Sequence, residues 1–372
     1  MYSYWEHIYR ERPFDVIVIG AGITGCSAAI HIKRADPSLR IGIIEAEKLF
    51  MTTASTKNAG FACFGSMSEL LEDEQSLGTE AMLALVSSRW KGLQALRALI
   101  PDKALDLKAC GGHEVFEDSG LYTSCLQERE RLNGLLEPVI GKDVFQEGNP
   151  SDFGFRGFSA SISNRFESQL DPARMMAAFQ TLLRQLDIPV YMGSKVHGLK
   201  EQENLVDVLL DDATLHAKQV LVATNGLSRS LIDLDVRPTR AQVLITEPIF
   251  GLDWEGVFHL DHGYTYFRNV GDRVLLGGRR NMDMEVEYNP SMELNTLIQN
   301  NLEALLREKI LPGIPFKIAH RWAGIMGTGK TRDPILQKVS PRIHCAVRLG
   351  GMGVALGTSL GKDAASLVLR GV

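Results

Sequence analysis

The feature that most constrains this chain is the passage over residues 14–33. Phe14-Asp-Val-Ile-Val-Ile-Gly20 is a short apolar run rich in β-branched residues, the composition of a parallel strand buried on both faces. It leads into Gly20-Ala21-Gly22-Ile23-Thr24-Gly25 and then Cys26-Ser-Ala-Ala-Ile-His-Ile-Lys33, a helix of mostly small residues. In that order the three glycines have separate duties. The first makes the tight turn, the second lets backbone approach a pyrophosphate, and the third lets helix and strand pack closely. The helix N-terminus offers free N–H groups and partial positive charge to the phosphates. Arg40-Ile-Gly-Ile-Ile-Glu45 reads as the next strand, and Glu45 stands about 20 residues past Gly25, where a carboxylate meets adenosine ribose hydroxyls. The passage predicts a βαβ unit that holds a dinucleotide through residues 20–25, Glu45 and Ala46.

Composition narrows the class. With 372 residues the chain has room for two or three domains and a large core. It is 45% hydrophobic and 23% charged, which excludes a disordered or fibrous chain. The net charge of −5 gives no electrostatic reason to expect nucleic acid as a partner. The five cysteines are odd in number and form no CxxC, against a disulfide framework or a metal site. Residues 1–15 carry Glu6, Arg10, Glu11 and Arg12 and lack the apolar stretch of a signal peptide. Residues 16–30 are apolar but broken by glycines and too short to span a bilayer. The expectation is a cytoplasmic protein with no transmembrane segment.

Further along, Asp171-Pro172 is a sound helix start, and Met175, Phe179, Leu182 and Leu186 follow at helical spacing as core. Residues 205–210 and 219–224 read as strands. Residues 293–309 read as a helix with Leu294, Ile298, Leu302 and Leu305 on one face. Gly324-Ile-Met-Gly-Thr-Gly329-Lys330-Thr331 fits the spacing of a phosphate-binding loop, but Pro334 would fall inside the helix such a loop needs. It is expected not to work as one.

Ala54-Ser55-Thr56-Lys57-Asn58-Ala59-Gly60 resembles the flavin-contact loop of the D-amino acid oxidase family, which includes glycine oxidase and sarcosine oxidase. Leu170-Asp-Pro172, Ser194-Lys-Val196, residues 219–226, Arg237-Pro-Thr-Arg-Ala-Gln242, His320-Arg-Trp-Ala-Gly-Ile325 with Asp333-Pro334, and Gly350-Gly-Met-Gly353 with Gly361 resemble further family segments, in family order. The resemblance implies an α/β protein whose Rossmann-like FAD-binding domain (residues 1–85, 163–238 and 317–372) is interleaved with an α+β substrate domain carrying an antiparallel sheet (residues 86–162 and 239–316). It implies FAD contacts at Ser55, Thr56, Lys57, Asn58, Ala59 and Gly60, at Val196, at Ala223, Thr224 and Gly226, and at Gly351, Met352, Gly353 and Val354. A helix N-terminus after Gly351 would stabilise negative charge on the reduced ring. No Cys lies in the Trp-Ala-Gly region where covalent members attach flavin, which implies noncovalent FAD.

The implied activity is hydride transfer from a small amine or modified amino acid to flavin N5, with electrons passing on to oxygen or another acceptor. The flavin carries the chemistry, so no catalytic residue is assigned. A 2-hydroxy acid or polyol dehydrogenase is the rival within the fold; a tRNA-modification flavoprotein and a non-catalytic flavin binder are rivals of other classes. Glycine-oxidase-like chains place a carboxylate-binding Arg where this chain has Met326, and the basic residue of the closing loop is also missing. The replacement candidates are Arg268, Lys57, His320 and Lys330. Tyr264, Tyr266 and Arg268 alternate on one face of a strand and, with Met326 and Lys330, are the expected substrate contacts. Arg279 and Arg280 read as a solvated strand end, Glu69, Glu72, Asp73 and Glu74 as an exposed acidic helix face, and His113 as structural.

Overall fold

The computed structural model describes residues 3–5, 12–49 and 53–372; Glu6, Arg10 and Glu11 lie outside them. Two eight-stranded sheets organise the chain. The main path of the first runs Ile335–Lys338, Ile343–Val347, Thr214–Val222, Phe14–Ile19, Ile41–Ile44 and Val190–Tyr191. Its inner pairings are parallel and the edge strand Ile335–Lys338 is antiparallel. Val196–Glu201 and Val206–Leu210 branch from Thr214–Val222 as an antiparallel hairpin.

The helices packed into one core against this sheet include Ile23–Ala35, Thr79–Leu99, Pro172–Gln185 and the C-terminal Gly353–Leu369. Ile23–Ala35 and Gly353–Leu369 meet at contact distance, because a Cβ on Gly361 would stand only 2.6 Å from the Thr24 carbonyl. Ser27 Oγ ties the pair by donating to the Thr358 carbonyl at 2.8 Å. Pro172–Gln185 starts as its sequence predicts. The Asp171 carboxylate caps it by accepting from the Ala173 and Arg174 amides, while Met175 and Phe179 are fully buried.

The second sheet runs Ile318–Thr328, Arg237–Thr246, Arg273–Gly278, Thr265–Val270, Val257–Leu260, Gly112–Phe116, Ala160–Asn164 and Phe145–Gly148, antiparallel except for Val257–Leu260 beside Gly112–Phe116. One face packs Leu244, Phe258, Phe267 and Leu276 against Ile298 and Leu302 of the helix Thr296–Leu305. Three expectations change here. The helix begins at Thr296, because Asn295 caps it, so Leu294 stays outside and exposed. The strand Ile318–Thr328, expected with the nucleotide domain, pairs with Arg237–Thr246 along the second sheet. Thr214–Val222 is longer than expected because its first half completes the hairpin. The segment with phosphate-loop spacing forms that same long strand and the turn after it, not a loop before a helix.

Candidate active site

The turn after Phe14–Ile19 is built to accept a diphosphate. Gly20 adopts φ +106°, closed to side chains, and a Cβ there would lie 2.8 Å from the Ala223 carbonyl. A Cβ on Gly25 would sit 2.0 Å from the Gly20 carbonyl, so the third glycine is obligatory for the turn. The helix Ile23–Ala35 starts at an extended Gly22 with no side-chain cap and no acidic residue in its first turn. Ser55 Oγ accepts from the Ile23 amide at 3.0 Å, which brings the loop of residues 53–60 onto the same turn. The Thr24 hydroxyl beside it is buried without a partner. Glu45, almost fully buried, accepts from the Ala21 amide at 2.8 Å and the Glu47 amide at 2.9 Å. Ala46 follows it, and the Glu45 carbonyl accepts from the Ser194 amide, which brings Val196 close. These residues fit a dinucleotide: a positive helix end, a glycine cradle and a fixed carboxylate at its edge.

The other expected contacts converge from distant parts of the chain. Ala223 donates to the Ile19 carbonyl at 2.8 Å, and the Thr224 hydroxyl is buried and unpaired. A Cβ on Gly226 would lie 2.3 Å from the Met326 carbonyl. The closing loop is fastened at both sides, Leu349 donating to Asn225 Oδ1 and Gly350 to the Gly327 carbonyl. Met326 Sδ lies 3.9 Å from where Gly351 would carry a Cβ. Met352 then opens Gly353–Leu369, again with no side-chain cap and no acidic first turn, and Val354 is buried in it. A second uncapped helix N-terminus is thus presented beside Met326.

The flavin-loop candidates hold one another. Asn58 donates to the Ser55 carbonyl at 2.6 Å and accepts from the Gly60 amide at 2.8 Å. The Thr56 hydroxyl donates to the Thr53 carbonyl. The Lys57 carbonyl accepts from Trp322 Nε1 at 3.0 Å, and Lys57 Nζ reaches Met292 Sδ at 3.1 Å.

Sheet register fixes what faces this loop. Glu114, His259, Tyr266, Gly277, Val243 and Trp322 are directly opposed across six strands and so share one face. Gly277 leaves room for its neighbour, since a Cβ there would be 2.6 Å from Tyr266 Cε2. Phe61 stands edge-on to Tyr266 at 5.6 Å and to His259 at 5.3 Å. Ala59, Phe61, Tyr266, Val243 and Trp322 therefore form one apolar wall beside the loop. Burial pushes the Tyr266 phenol up to about 12, opposed in part by the Arg280 charge. Behind Phe61, His259 Nε2 meets Glu167 Oε2 at 2.9 Å, and Cys63 completes a buried group whose ligand-type atoms lie within 4.8 Å of one another. His259 is desolvated by burial, but the Glu167 carboxylate prevails and raises its pKa.

Several expectations are corrected. Arg268 is not free on the open face of its strand. It is buried, donating from Nε to the Ala59 carbonyl at 2.6 Å, from Nη1 to Gln169 Oε1 at 2.6 Å and from Nη2 to the Leu170 carbonyl at 3.1 Å. It buckles the loop of residues 53–60 to the sheet, and burial lowers its pKa to about 10. Lys330 is exposed in the turn after the long strand, its amide donating to Asp235. His320 stacks on Trp322. The acidic helix face is not simply exposed. Asp73 is fully buried, Arg332 Nη1 lies 2.6 Å from it, and Glu69 pairs with Arg89. Arg279 and Arg280 are half-buried, and Arg280 lies 4.8 Å over the ring of Tyr264. His113 is structural as expected, stacked on Phe258, with burial pushing its pKa down to about 4.

Sequence pattern alone gave no sign of the His259–Glu167 pair or of a clamp beneath the site. In the clamp Arg240 Nε and Nη2 meet the fully buried Glu287 at 2.9 and 2.6 Å, and Gln242 and Asn295 also donate to that carboxylate. The clamp fastens residues 279–295, which carry Arg280 and Met292, around the end of the sheet. Gly277-Gly278 before Arg279 was the only local signal of an unusual turn.

The family model for FAD dependent oxidoreductases of the DAO type matches residues 15–367. The chain belongs to the DAO family. Among relatives, a probable oxidoreductase OrdL of Rhizobium meliloti is 24% identical over 99% of this chain and 88% of its own length. A glycine oxidase of Bacillus licheniformis is 24% identical over 96% of this chain and 94% of its own. Among solved structures, an iminodiacetate oxidase from Chelativorans sp. BNC1 superposes with a TM-score of 0.76 at 19% identity, over 95% of each chain. The protein is thus an FAD-dependent oxidoreductase. Among the described residues no helix is long and apolar enough to cross a membrane.

Proposed function

We propose that this enzyme oxidises a small amine or modified amino acid at the carbon beside its nitrogen, and passes the electrons to oxygen or another acceptor, in the cytoplasm. The observation that carries the reading is the apolar wall of Phe61, Tyr266 and Trp322 set directly beside the loop of residues 53–60. Such a wall excludes water and orients a small substrate, the two services that hydride transfer asks of a protein. The names glycine oxidase and iminodiacetate oxidase, both for substrates bearing an amine nitrogen, support it.

Bound FAD supplies the hydride acceptor. The turn of residues 20–25, through the amides not already paired with Ile44, Glu45 and Ser55, would hold its diphosphate, Glu45 its ribose, and the Val196 strand its adenine, without a covalent link. Residues 55–60 and 351–354 border the ring, the uncapped helix end at Gly353 stabilising charge there. Tyr264, Tyr266 and Met326 line the substrate side. The division into domains follows the two sheets, except that residues 318–328, assigned to the FAD-binding domain, pair along the second sheet. The test is anaerobic mixing of the yellow holoenzyme with panels of amines and 2-hydroxy acids. Bleaching by amines supports the reading; bleaching by hydroxy acids alone, or by neither panel, contradicts it.

A further inference from the structure

We infer that Cys63, Glu167 and His259 form a buried site for one zinc ion, which fastens the chain just past the loop of residues 53–60 to the second sheet. The inference goes beyond the amine-oxidation reading and does not depend on it.

Three separate elements supply the donors. Cys63 follows the short strand Phe61–Ala62, Glu167 precedes that strand's antiparallel partner Ser168–Gln169, and His259 lies on the strand Val257–Leu260 of the second sheet. Cys63 Sγ, one carboxylate oxygen of Glu167 and one ring nitrogen of His259 all lie within 4.8 Å of one another. The three residues are only 8%, 1% and 6% exposed. Cysteine spacing argues against a zinc motif written along the chain; this set is brought together by strand pairing instead.

The ion pair of His259 Nε2 with Glu167 Oε2 uses only part of the cluster. Glu167 Oε1 is buried with no hydrogen-bond partner, a costly state for a carboxylate oxygen. Gly112 makes the room for this carboxylate, since a Cβ there would stand 2.1 Å from Oε2. Thiolate, imidazole and carboxylate are donors that zinc accepts, and Oε1 offers a fourth donor atom to its four-coordinate preference. The charges also balance. One zinc ion enters, the proton of the His259–Glu167 pair and the proton of the Cys63 thiol leave, and the buried cluster stays neutral. Glu69 and Glu114 add negative field at His259. Arg89 opposes them at Cys63, but it is itself paired with Glu69 at 3.3 Å. Without metal the His259–Glu167 pair remains, so measurements of that pair by itself are made with a chelator present.

The experiment counts metal in FAD-loaded protein from zinc-supplemented cells, by elemental mass spectrometry after gel filtration in EDTA. About one zinc per chain is expected in the parent and in Cys110→Ser, which removes a more exposed thiol, and less than about a tenth in Cys63→Ser. Protein stripped of metal and titrated with Zn²⁺ should bind about 100-fold more weakly in Cys63→Ser and about tenfold or more weakly in Glu167→Gln. Should those variants not fold, zinc-edge X-ray absorption of the parent decides. The expected shell has one sulfur at about 2.3 Å and lighter donors at about 2.0–2.2 Å. A shell without sulfur, a parent that holds no zinc either as isolated or after titration, or zinc retained equally by Cys63→Ser, which marks an adventitious ion only, overturns the inference. Metal is counted and turnover is not, so zinc-free protein that amines bleach sinks this inference alone, and zinc-loaded protein that no amine bleaches sinks the amine reading alone.

Discussion

Removing Glu287 tests whether the clamp beneath the site is a structural necessity. Its carboxylate is fully buried and meets Arg240 in a fork at 2.6 and 2.9 Å, with Gln242 and Asn295 donating as well. Glu287→Ala leaves the buried Arg240 charge uncompensated, a loss of about 3–5 kcal/mol. Unfolding entropy of about 2.1 cal/mol/K per residue, over 372 residues, is about 0.8 kcal/mol/K if the chain melts as one unit. The expected drop in melting temperature is then about 4–6 °C, read by flavin fluorescence and circular dichroism. Replacing both partners, Arg240→Leu with Glu287→Leu, should recover much of that loss, because no charge is left buried. A single variant melting within about 1 °C of the parent, or a double variant no better than the single, refutes the argument.

Other perturbations test other parts of the account. Gly22→Asp puts a carboxylate against the Ser55 hydroxyl and the diphosphate position; at about 4 Å and an effective dielectric near 20 each charge pair costs about 4 kcal/mol, so the protein should purify colourless. Arg268→Met strands the Ala59 and Leu170 carbonyls, and should lower FAD retention, read as the ratio of flavin to protein absorbance after gel filtration; an unchanged ratio contradicts it. His259 has a raised pKa, so its pairing with Glu167 is complete below the ordinary value near 6.5 and fades as pH rises through the folded value. The stability of the parent over His259→Gln should therefore shrink from about pH 6 to pH 9, and a constant or growing difference contradicts the pairing.

The nucleotide half of the fold was legible because its constraints are local. Gly20, Gly22, Gly25 and Glu45 each answer a backbone demand within one βαβ unit, and Asp171 caps its own helix. The substrate half was less so, because its site is written in sheet register. Tyr266, Gly277, Val243 and Trp322 are distant in sequence and meet only through pairing. Alternation placed Tyr266 and Arg268 on one face correctly. It did not show that Arg268 would turn under the loop of residues 53–60, where three carbonyl-type acceptors wait. Arg280 was misread because a charged pair after a strand is ordinarily solvated; only the left-handed turn at Arg279, the Tyr264 ring and the Glu287 clamp make it otherwise.

The central claim is that the Gly20–Gly25 turn and the uncapped end of the C-terminal helix together hold one FAD. The most direct measurement is the flavin content of folded protein, as isolated and after incubation with FAD. The account predicts a yellow protein with about one FAD per chain, lost in Gly22→Asp while circular dichroism stays native. Folded parent protein that stays colourless and takes up no added FAD would contradict it.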